Sequence, residues 1–337
     1  MTHWQKIAVP LAALVTVHLL VVFAGFVAPY DVATQFREHP YAPPSRVHFR
    51  DEEGHIHIRP FVYAWKNTGN FAEYEEDTER IMPVRFFVPG DAYTMLHVLH
   101  SSVHLFGVEG PAHIFILGSD AYGRDQFSRL LFGGQISLFS GILAAALSLS
   151  LGLLLGSAAG YYGGLLDAVL MRISEVFLAL PWLYLLFAVR AFLPLRMSAA
   201  GTFLLLIAIV GAVGWTRPAR LVRGIVLSAK ERSYVFAARG FGATDWYLLR
   251  RHVLPQTRGV LLTQAAILIP QFILAEVTLS FLGLGVAEPV PSWGNMLSAL
   301  QQYNVLSSYW WMIIPGLVLI PIFLSYYLLA RCLEQQV

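Results

Sequence analysis

Charged residues are scarce in this sequence of 337 residues. Lys, Arg, Asp and Glu make up only 13% of it, whereas hydrophobic residues make up 56%. An ordinary soluble domain carries about 25% charged residues and has too little interior to bury so large an apolar share. The composition therefore excludes an ordinary soluble protein and an intrinsically disordered chain, and it indicates an integral membrane protein.

Several residue patterns that would indicate a particular chemistry are also missing. Cys332 stands alone, which excludes an intrachain disulfide. The sequence contains no Gly-x-x-x-x-Gly-Lys-Ser/Thr loop, so we do not expect the chain itself to hydrolyse ATP. The apolar segments also lack the Ser/His pair, the aspartate pair or the His-Glu-x-x-His motif that an intramembrane hydrolase would need at membrane depth. A transport subunit and a scaffold or receptor without cargo remain as function classes.

Six apolar segments are long enough to cross a bilayer, which requires about 20 residues per helix. They cover residues 7–27, 136–159, 168–190, 199–215, 260–283 and 310–330. The segment 216–259 holds nine Lys and Arg residues against two acidic ones. A nucleic-acid surface is also basic, but this segment lies between two apolar runs, so the positive-inside rule places it in the cytoplasm. Both termini are then cytoplasmic.

These segments predict an all-α membrane protein with six transmembrane helices. We expect the first transmembrane helix within residues 1–28 and a small mixed α/β insert outside the membrane at 29–116. Residues 117–337 then form the core, with five transmembrane helices and the cytoplasmic loop 216–259.

The insert has two strand-like stretches, at 55–63 and 83–88, with an acidic run at 73–80 between them. We interpret the run either as a solvated turn or as part of a contact with another protein. His97, His100 and His104 would share one face of a helix, and imidazoles spaced in this way can hold a transition metal. Ordinary surface or packing histidines are the competing interpretation.

The cytoplasmic loop predicts a short helix held between two turns. Ser233 is expected to cap a helix that begins at Tyr234, and Gly240 and Gly242 to end it, one of them in a left-handed conformation. Thr244 or Asp245 would cap the next helix, which should stop before Pro255. A connecting loop without a partner is the simpler alternative.

This loop resembles that of the inner-membrane permease subunits of ATP-binding-cassette importers, which carry a Glu-Ala-Ala pattern followed by a glycine and a Leu-Pro pair. The matching residues here are Ala237, Ala238, Gly242, Leu254 and Pro255. Phe236 stands where that family has its glutamate, so the salt bridge of that glutamate is absent or replaced by apolar packing.

Three further segments, at 117–138, 161–181 and 281–297, look like those of dipeptide, oligopeptide and nickel permeases. The resemblance implies a chain in the bacterial inner membrane that moves short peptides by alternating access, with nickel or a metal chelate as the alternative cargo. It also implies a second permease, two cytoplasmic ATPase subunits and an external substrate-binding protein as partners, and no nucleic acid. This chain would bind no cofactor, since ATP and Mg²⁺ belong to the ATPases.

The resemblance further implies that the short helix docks on an ATPase and transmits its closure to the membrane helices. The residues expected to dock or to position the docking segment are Tyr234, Phe236, Ala237, Ala238, Arg239, Gly240, Gly242, Asp245, Leu254 and Pro255.

Within the apolar segments, a few small and polar residues stand out. Gly152 and Gly156, with Gly160 one turn further, predict the close approach of another helix. Glu276 is a carboxylate at membrane depth, which is costly unless it faces a partner or a wet cavity. We expect Glu276, with Gln271, to line a translocation cavity or brace its gate; a fixed hydrogen-bond partner is the alternative for Glu276.

Overall fold

The computed structural model describes residues 3–69, 73–95, 98–108, 112–191 and 198–335. Its contacts divide the chain into two compact units. The first, here called the helical unit, comprises Met1–Leu14, Leu138–Leu279 and Ile320–Val337. The second, here called the mixed unit, comprises Val15–Ser137 and Ser280–Leu319.

Helices dominate the described residues. The α-helices in chain order are α1 His3–Val22, α2 Ala24–Val27, α3 Gln126–Tyr162, α4 Gly164–Ala179, α5 Trp182–Ala191, α6 Ala199–Gly214, α7 Thr216–Lys230, α8 Ser233–Gly240, α9 Asp245–Leu248, α10 Arg258–Phe281, α11 Trp293–Ser298, α12 Tyr303–Ser308 and α13 Ile314–Glu334. Short 3₁₀ turns follow α11 and α12, at Ala299–Gln301 and Trp310–Ile313.

Three helical stretches of the described residues are long and apolar enough to cross a membrane. They are Gln126–Tyr162, Asp245–Phe281 and Trp310–Glu334. The pair α6 and α7, bent by 42°, adds a fourth if it is one span. The prediction of six spans is therefore supported only in part. The first predicted span falls on α1, whose stretch Lys6–Val22 is apolar but shorter.

The third predicted span, at 168–190, is not one continuous helix. α4 ends at Ala179 and α5 begins at Trp182, with Leu180 in an extended conformation between them. Pro181 explains the break, because the residue before a proline is forced out of the helical region and the proline itself has no N–H to donate.

The glycines of α3 allow α7 to approach closely within the helical unit. A Cβ atom on Gly156 would overlap the backbone of Ala219, and one on Gly152 would lie 2.6 Å from the Cβ atom of Pro218. A Cβ atom on Gly160 would likewise come too close to Val226. The spacing of these glycines predicted this contact, because a missing side chain on successive turns leaves a groove for a neighbouring helix.

The insert of the mixed unit is an antiparallel sheet rather than a mixed α/β fold. Its four strands are β1 His48–Arg50, β2 Ile56–Asn67, β3 Tyr74–Met95 and β4 Leu99–Val108, paired in that order. The described residues of 29–116 contain no α-helix. The sheet packs around a core formed by Val62, Met82, Val84, Phe106, Ala112 and Ile114.

The acidic run at 73–80, expected as a possible turn, lies almost wholly within β3. Glu75 pairs with Lys66 of β2 and Glu76 with Trp65, so opposite charges face each other across the two strands. Strand pairing therefore compensates the weak strand propensity of these carboxylates. Just before β3, the N–H of Thr68 donates to the carbonyl of Glu73 at 3.1 Å.

The predicted helical face of histidines is also wrong. His100 and His104 lie in β4, and His97 lies outside the described residues. Both ring nitrogens of the buried His104 contact backbone carbonyls, at 2.6 Å for Ala28 and 2.9 Å for Asp91. That side chain is therefore engaged in holding β4 against the end of α2. Among the described residues, no group of three His, Cys, Asp or Glu is arranged to hold a metal ion.

Candidate docking site

The short helix predicted in the loop 216–259 is present as α8, although its first turn differs from the expectation. Ser233 is the first residue of the helix, and the cap residue Arg232 makes no side-chain hydrogen bond to it. The other end follows the prediction. Gly242 has a φ of +85°, and its N–H donates to the carbonyl of Arg239 at 2.9 Å. A glycine adopts this left-handed conformation without steric cost.

The next helix begins as predicted but does not stop before Pro255. Thr244 is its cap, and its hydroxyl accepts a hydrogen bond from the N–H of Tyr247 at 3.4 Å. A π-helical turn at Leu249–Val253 and a 3₁₀ turn at Leu254–Thr257 then lead directly into α10. Pro255 is tolerated because it stands in the first turn of the 3₁₀ segment, where its missing N–H breaks no hydrogen bond.

One side of this segment is anchored in the helical unit. Val235 of α8 and Leu248 of α9 are buried, and so is Val253 in the π-helical turn. Leu249 and Val253 share a cluster with Tyr161 of α3 and with residues of α7. Such burial fixes the position of the segment, because each buried aliphatic side chain stabilises the fold by about 1.5–3 kcal/mol.

The other side carries exposed aromatic side chains. The exposed fractions are 93% for Phe241, 67% for Trp246, 52% for Phe236 and Tyr247, and 40% for Tyr234. These five residues are called the aromatic patch below. So many large exposed apolar side chains within one short segment are unusual on a water-facing surface, and they indicate an interaction site.

Small residues keep this exposed side open. Ala237 is exposed and Ala238 is half-buried. A Cβ atom on Gly240 or Gly242 would meet no atom of the chain within 4 Å. A bulky group of another molecule can therefore lie directly against the backbone of α8.

A polar contact ties the end of α8 to α3. The hydroxyl of Tyr161 donates to Asp245 at 2.7 Å, and Arg239 donates to that hydroxyl at 3.1 Å and to Asp245 at 3.3 Å. Hydrogen bonding to Tyr161 raises the pKa of Arg239, which keeps the guanidinium charged. Arg239 and Asp245 were predicted from the sequence as part of the docking segment, whereas Tyr161 was missed, because no local pattern links it to a loop so much further along the chain.

The two predicted pathway residues lie in α10 but line different spaces. Gln271 lines a cavity of about 250 Å³ together with Phe272, Arg217 and residues of α4 and α6. Glu276 is only 1% exposed and adjoins a separate space of about 10 Å³, close to the minimum for one water molecule. Phe272 lines both spaces. The structure thus places both residues in one helix without joining them in one open cavity.

The mixed unit contains an ion-pair cluster that was not predicted from the sequence. Glu288 accepts hydrogen bonds from Arg124 at 2.6 Å and Arg129 at 2.7 Å, and Arg124 also donates to Asp120 at 2.7 Å. The cluster joins the segments 117–138 and 281–297, both of which carried the resemblance. Burial raises the pKa of the neighbouring Asp125 to about 7, so its carboxyl group is partly protonated near neutral pH.

Comparison with known proteins places this geometry in a family. Residues 152–337, more than half of the chain, match the family described as "Binding-protein-dependent transport system inner membrane component". The chain belongs to this family. The matched stretch includes α8, the aromatic patch and α10, so the segment predicted to dock lies within the part that defines membership.

Two transport permeases are similar to this chain over a stretch comparable in length to the family match. The dipeptide transport system permease protein DppC of Bacillus subtilis is 39% identical over 58% of this chain and 58% of its own length. The glutathione transport system permease protein GsiD of Pectobacterium atrosepticum is 39% identical over 59% of this chain and 64% of its own length. The chain therefore spans less than two thirds of the length of these relatives.

One solved structure, "Crystal structure of an amino acid ABC transporter with histidines", overlaps 62% of this chain and 94% of its own. The TM-score is 0.44 and the identity 16%.

Proposed function

We propose that this chain is a permease subunit of an ATP-driven importer that moves short peptides across the cytoplasmic membrane. The observation that carries the proposal is the aromatic patch on α8 and α9, which is exposed on a segment firmly anchored on its other side. Family membership supports it, and so do the names of the relatives, which describe dipeptide and glutathione transport.

The aromatic patch is the surface on which a cytoplasmic ATPase subunit docks in this proposal. Phe236 and Phe241 supply apolar contact area, and Ala237 and Ala238 let the partner approach the helix. Arg239 and Asp245 hold the segment to Tyr161, and Gly240, Gly242, Leu254 and Pro255 set the turns on either side. Movement of the docked ATPase is then transmitted through Tyr161 to α3.

The proposed assembly contains a second permease, two ATPase subunits and an external substrate-binding protein. ATP and Mg²⁺ are bound by the ATPases. Six transmembrane helices with both termini in the cytoplasm complete the arrangement, in which the basic loop 216–259 faces the ATPases. Alternating access needs only that the ATPases bind one of the two membrane conformations more tightly than the other.

Gln271 and Glu276 are proposed to act on the translocation side of α10. Gln271 offers hydrogen bonds to a polar cargo within its cavity. Glu276 is proposed to brace the packing around Phe272, which lines the spaces next to both residues. A nickel or metal-chelate cargo has less support, because the relatives reported above are named for peptides and glutathione.

The test is uptake of a labelled dipeptide into cells that express the complete transporter. Replacing Ala237 and Ala238 by arginine should abolish uptake, because two charged side chains would occupy the space open to the partner. The matched control is Glu334→Arg with Gln335→Arg, which also adds two arginines at an exposed helix end. Uptake of nickel but not of peptide by the unaltered transporter would overturn the cargo, and unchanged uptake by the alanine variant would overturn the docking site.

A further inference from the structure

Helix α7 leads almost directly into the segment predicted to dock. It ends at Lys230, and α8 begins at Ser233. Backbone hydrogen bonds hold the short link between the two helices. The N–H of Arg232 donates to the carbonyl of Ala229 at 3.2 Å, and the N–H of Val235 donates to the carbonyl of Arg232 at 2.9 Å. A movement of α8 is therefore passed to α7.

Helix α7 in turn holds the start of α4 through an ion pair. The Nε and Nη2 atoms of Arg223 in α7 donate to the two carboxylate oxygens of Asp167 in α4, with 2.6 Å between Nη2 and Oδ2. The two side chains are only 31% and 18% exposed, so water and salt screen the pair less than a surface pair. Two parallel hydrogen bonds fix the orientation of the partners as well as their distance.

The connection between α3 and α4 does not by itself set the direction of α4. Gly163 and Gly164 at this junction have φ values of +69° and +59°. Left-handed residues interrupt a helix, so α4 does not continue the axis of α3. A Cβ atom on either glycine would meet no atom within 4 Å, and the junction is therefore loosely surrounded. The direction of α4 then depends on contacts such as the ion pair with α7.

The other end of α4 lines the cavity that contains Gln271. Phe177 and Leu178, in the last turn of α4, share this cavity of about 250 Å³ with Gln271 and Phe272 of α10. All four residues belong to the helical unit. With 16 residues, α4 is about 24 Å long. A tilt at its start therefore displaces the side chains that line the cavity at its end.

From these contacts we propose that Arg223 and Asp167 are positioning residues that carry movement of α8 to the cavity. A docked ATPase displaces α8 and with it α7, and the ion pair makes the start of α4 follow. The far end of α4 then moves relative to Gln271, which changes the width of the cavity. This route is separate from the contact of Tyr161, which leads to α3. The inference rests on the proposed docking of an ATPase on α8.

A second ion pair of α4 provides a matched control. Arg172 donates to Glu175 at 3.0 Å, and the two side chains are 82% and 47% exposed. This pair lies within one helix, three residues apart, so it does not join α4 to α7. Removing it takes away the same kinds of charge from the same helix without touching the proposed route.

The test is the number of ATP molecules hydrolysed per labelled dipeptide imported by the complete transporter in proteoliposomes. Asp167→Asn and Arg223→Gln should each raise this ratio several-fold, because the ATPases still cycle while α4 no longer follows. The double variant should raise it no further than either single variant, since all three lack the same contact. Arg172→Gln with Glu175→Gln should keep the ratio of the unaltered transporter.

A ratio that stays unchanged in Asp167→Asn and Arg223→Gln, with the ATPases still bound, would overturn the inference and leave the proposed function standing. Additive effects in the double variant would also overturn it, because the two residues would then act separately. If Asp167→Asn prevents assembly, Arg223→Lys replaces it, since lysine keeps the charge but not the paired hydrogen bonds. A raised ratio in that variant supports the route, and an unchanged ratio excludes it. An unaltered chain that binds no ATPase would instead refute the proposed function itself.

Discussion

At the scale of single residues, missing side chains decide how α3 meets α7. Gly152 and Gly156 lie where a Cβ atom would collide with Pro218 and Ala219. The sequence predicted this role, because small residues four apart always share one face of a helix. It could not predict which helix would approach, since that depends on residues far along the chain.

Gly156→Val should destabilise the protein. The added side chain would overlap the backbone of Ala219, and overpacking of this kind costs about 1–3 kcal/mol. The measurement is the midpoint of thermal unfolding in detergent. The matched control is Gly224→Ala in α7, where a Cβ atom meets nothing within 4 Å, and its midpoint should stay the same or rise. Equal loss of stability in both variants would contradict the packing described for α3 and α7.

Tyr161 contributes a single hydroxyl to the contact that holds α8 to α3. Tyr161→Phe removes the donor to Asp245 and the acceptor for Arg239. We expect uptake to fall while the ATPase subunits still copurify with the chain, because the aromatic patch stays intact. The control is Tyr162→Phe, whose side chain is 67% exposed. Normal uptake by the Tyr161 variant would show that this contact does not transmit movement.

Glu276 is buried at membrane depth, where a carboxylate is retained at a cost. Glu276→Gln keeps its shape and removes its negative charge. We expect altered uptake with little change in the amount of assembled complex, because the packing around Phe272 depends on that charge in our proposal. Unaltered uptake would exclude Glu276 from the transport cycle. The amount of complex is read from copurified subunits in the same membranes.

At the scale of elements, local signals predicted the structure where local residues decide it. The left-handed Gly242 and the cap Thr244 mark the ends of α8 and the start of α9, as the sequence predicted. The stretch 83–88, predicted as strand-like, lies within β3, but the acidic first part of that strand was missed because its residues are held by pairing with β2, which no local pattern reveals. The sequence also did not predict that the helical segment continues past Pro255, because this continuation depends on a change of helix type just before the proline.

The sheet of the mixed unit should lose stability as the pH falls. His113 packs against Phe36, with ring centroids 3.9 Å apart, and burial lowers its pKa from 6.5 to about 4. The neighbouring His39 lowers this pKa further, whereas Glu38 raises it. The unfolded state therefore binds a proton at a pH where the folded state does not. The free energy of unfolding should fall from pH 6.5 to about 4 and be insensitive to this group at higher pH.

The measurement is hydrogen exchange of the strand amides at pH 7 and pH 5, corrected for the intrinsic rate. His113→Phe removes the titrating group and keeps an aromatic ring among aromatic neighbours, so its pH dependence should be weaker than that of the unaltered chain. Equal pH dependence in both proteins would show that His113 does not contribute. Other histidines, such as His48 beside Glu76, affect both proteins alike.

At the scale of the whole molecule, most of the predictions came from composition and charge distribution. Few charged residues and long apolar runs indicated a membrane protein, and nine basic residues in one loop indicated the cytoplasmic side. The docking residues stay a prediction, which a local pattern allows because they lie in one continuous segment. The ion-pair cluster could not, because Arg124 and Glu288 come from distant segments that only the folded mixed unit brings together.

The sequence does not identify the cargo either. A passage for peptides needs few specific groups when a separate protein selects the cargo, so the side chains that line it need not identify a particular peptide. The proposed docking surface is different, because in our proposal it must fit one partner. The aromatic patch is therefore the feature on which the proposed function depends most directly.

The most direct test is affinity purification of the chain from its native membrane in mild detergent, with mass spectrometry of the proteins that come with it. The unaltered chain should bring a second permease and ATPase subunits. The variant with Ala237→Arg and Ala238→Arg should lose the ATPases but keep the second permease, and Glu334→Arg with Gln335→Arg should keep both. A chain that purifies without ATPases, or an alanine variant that retains them, would contradict docking through the aromatic patch.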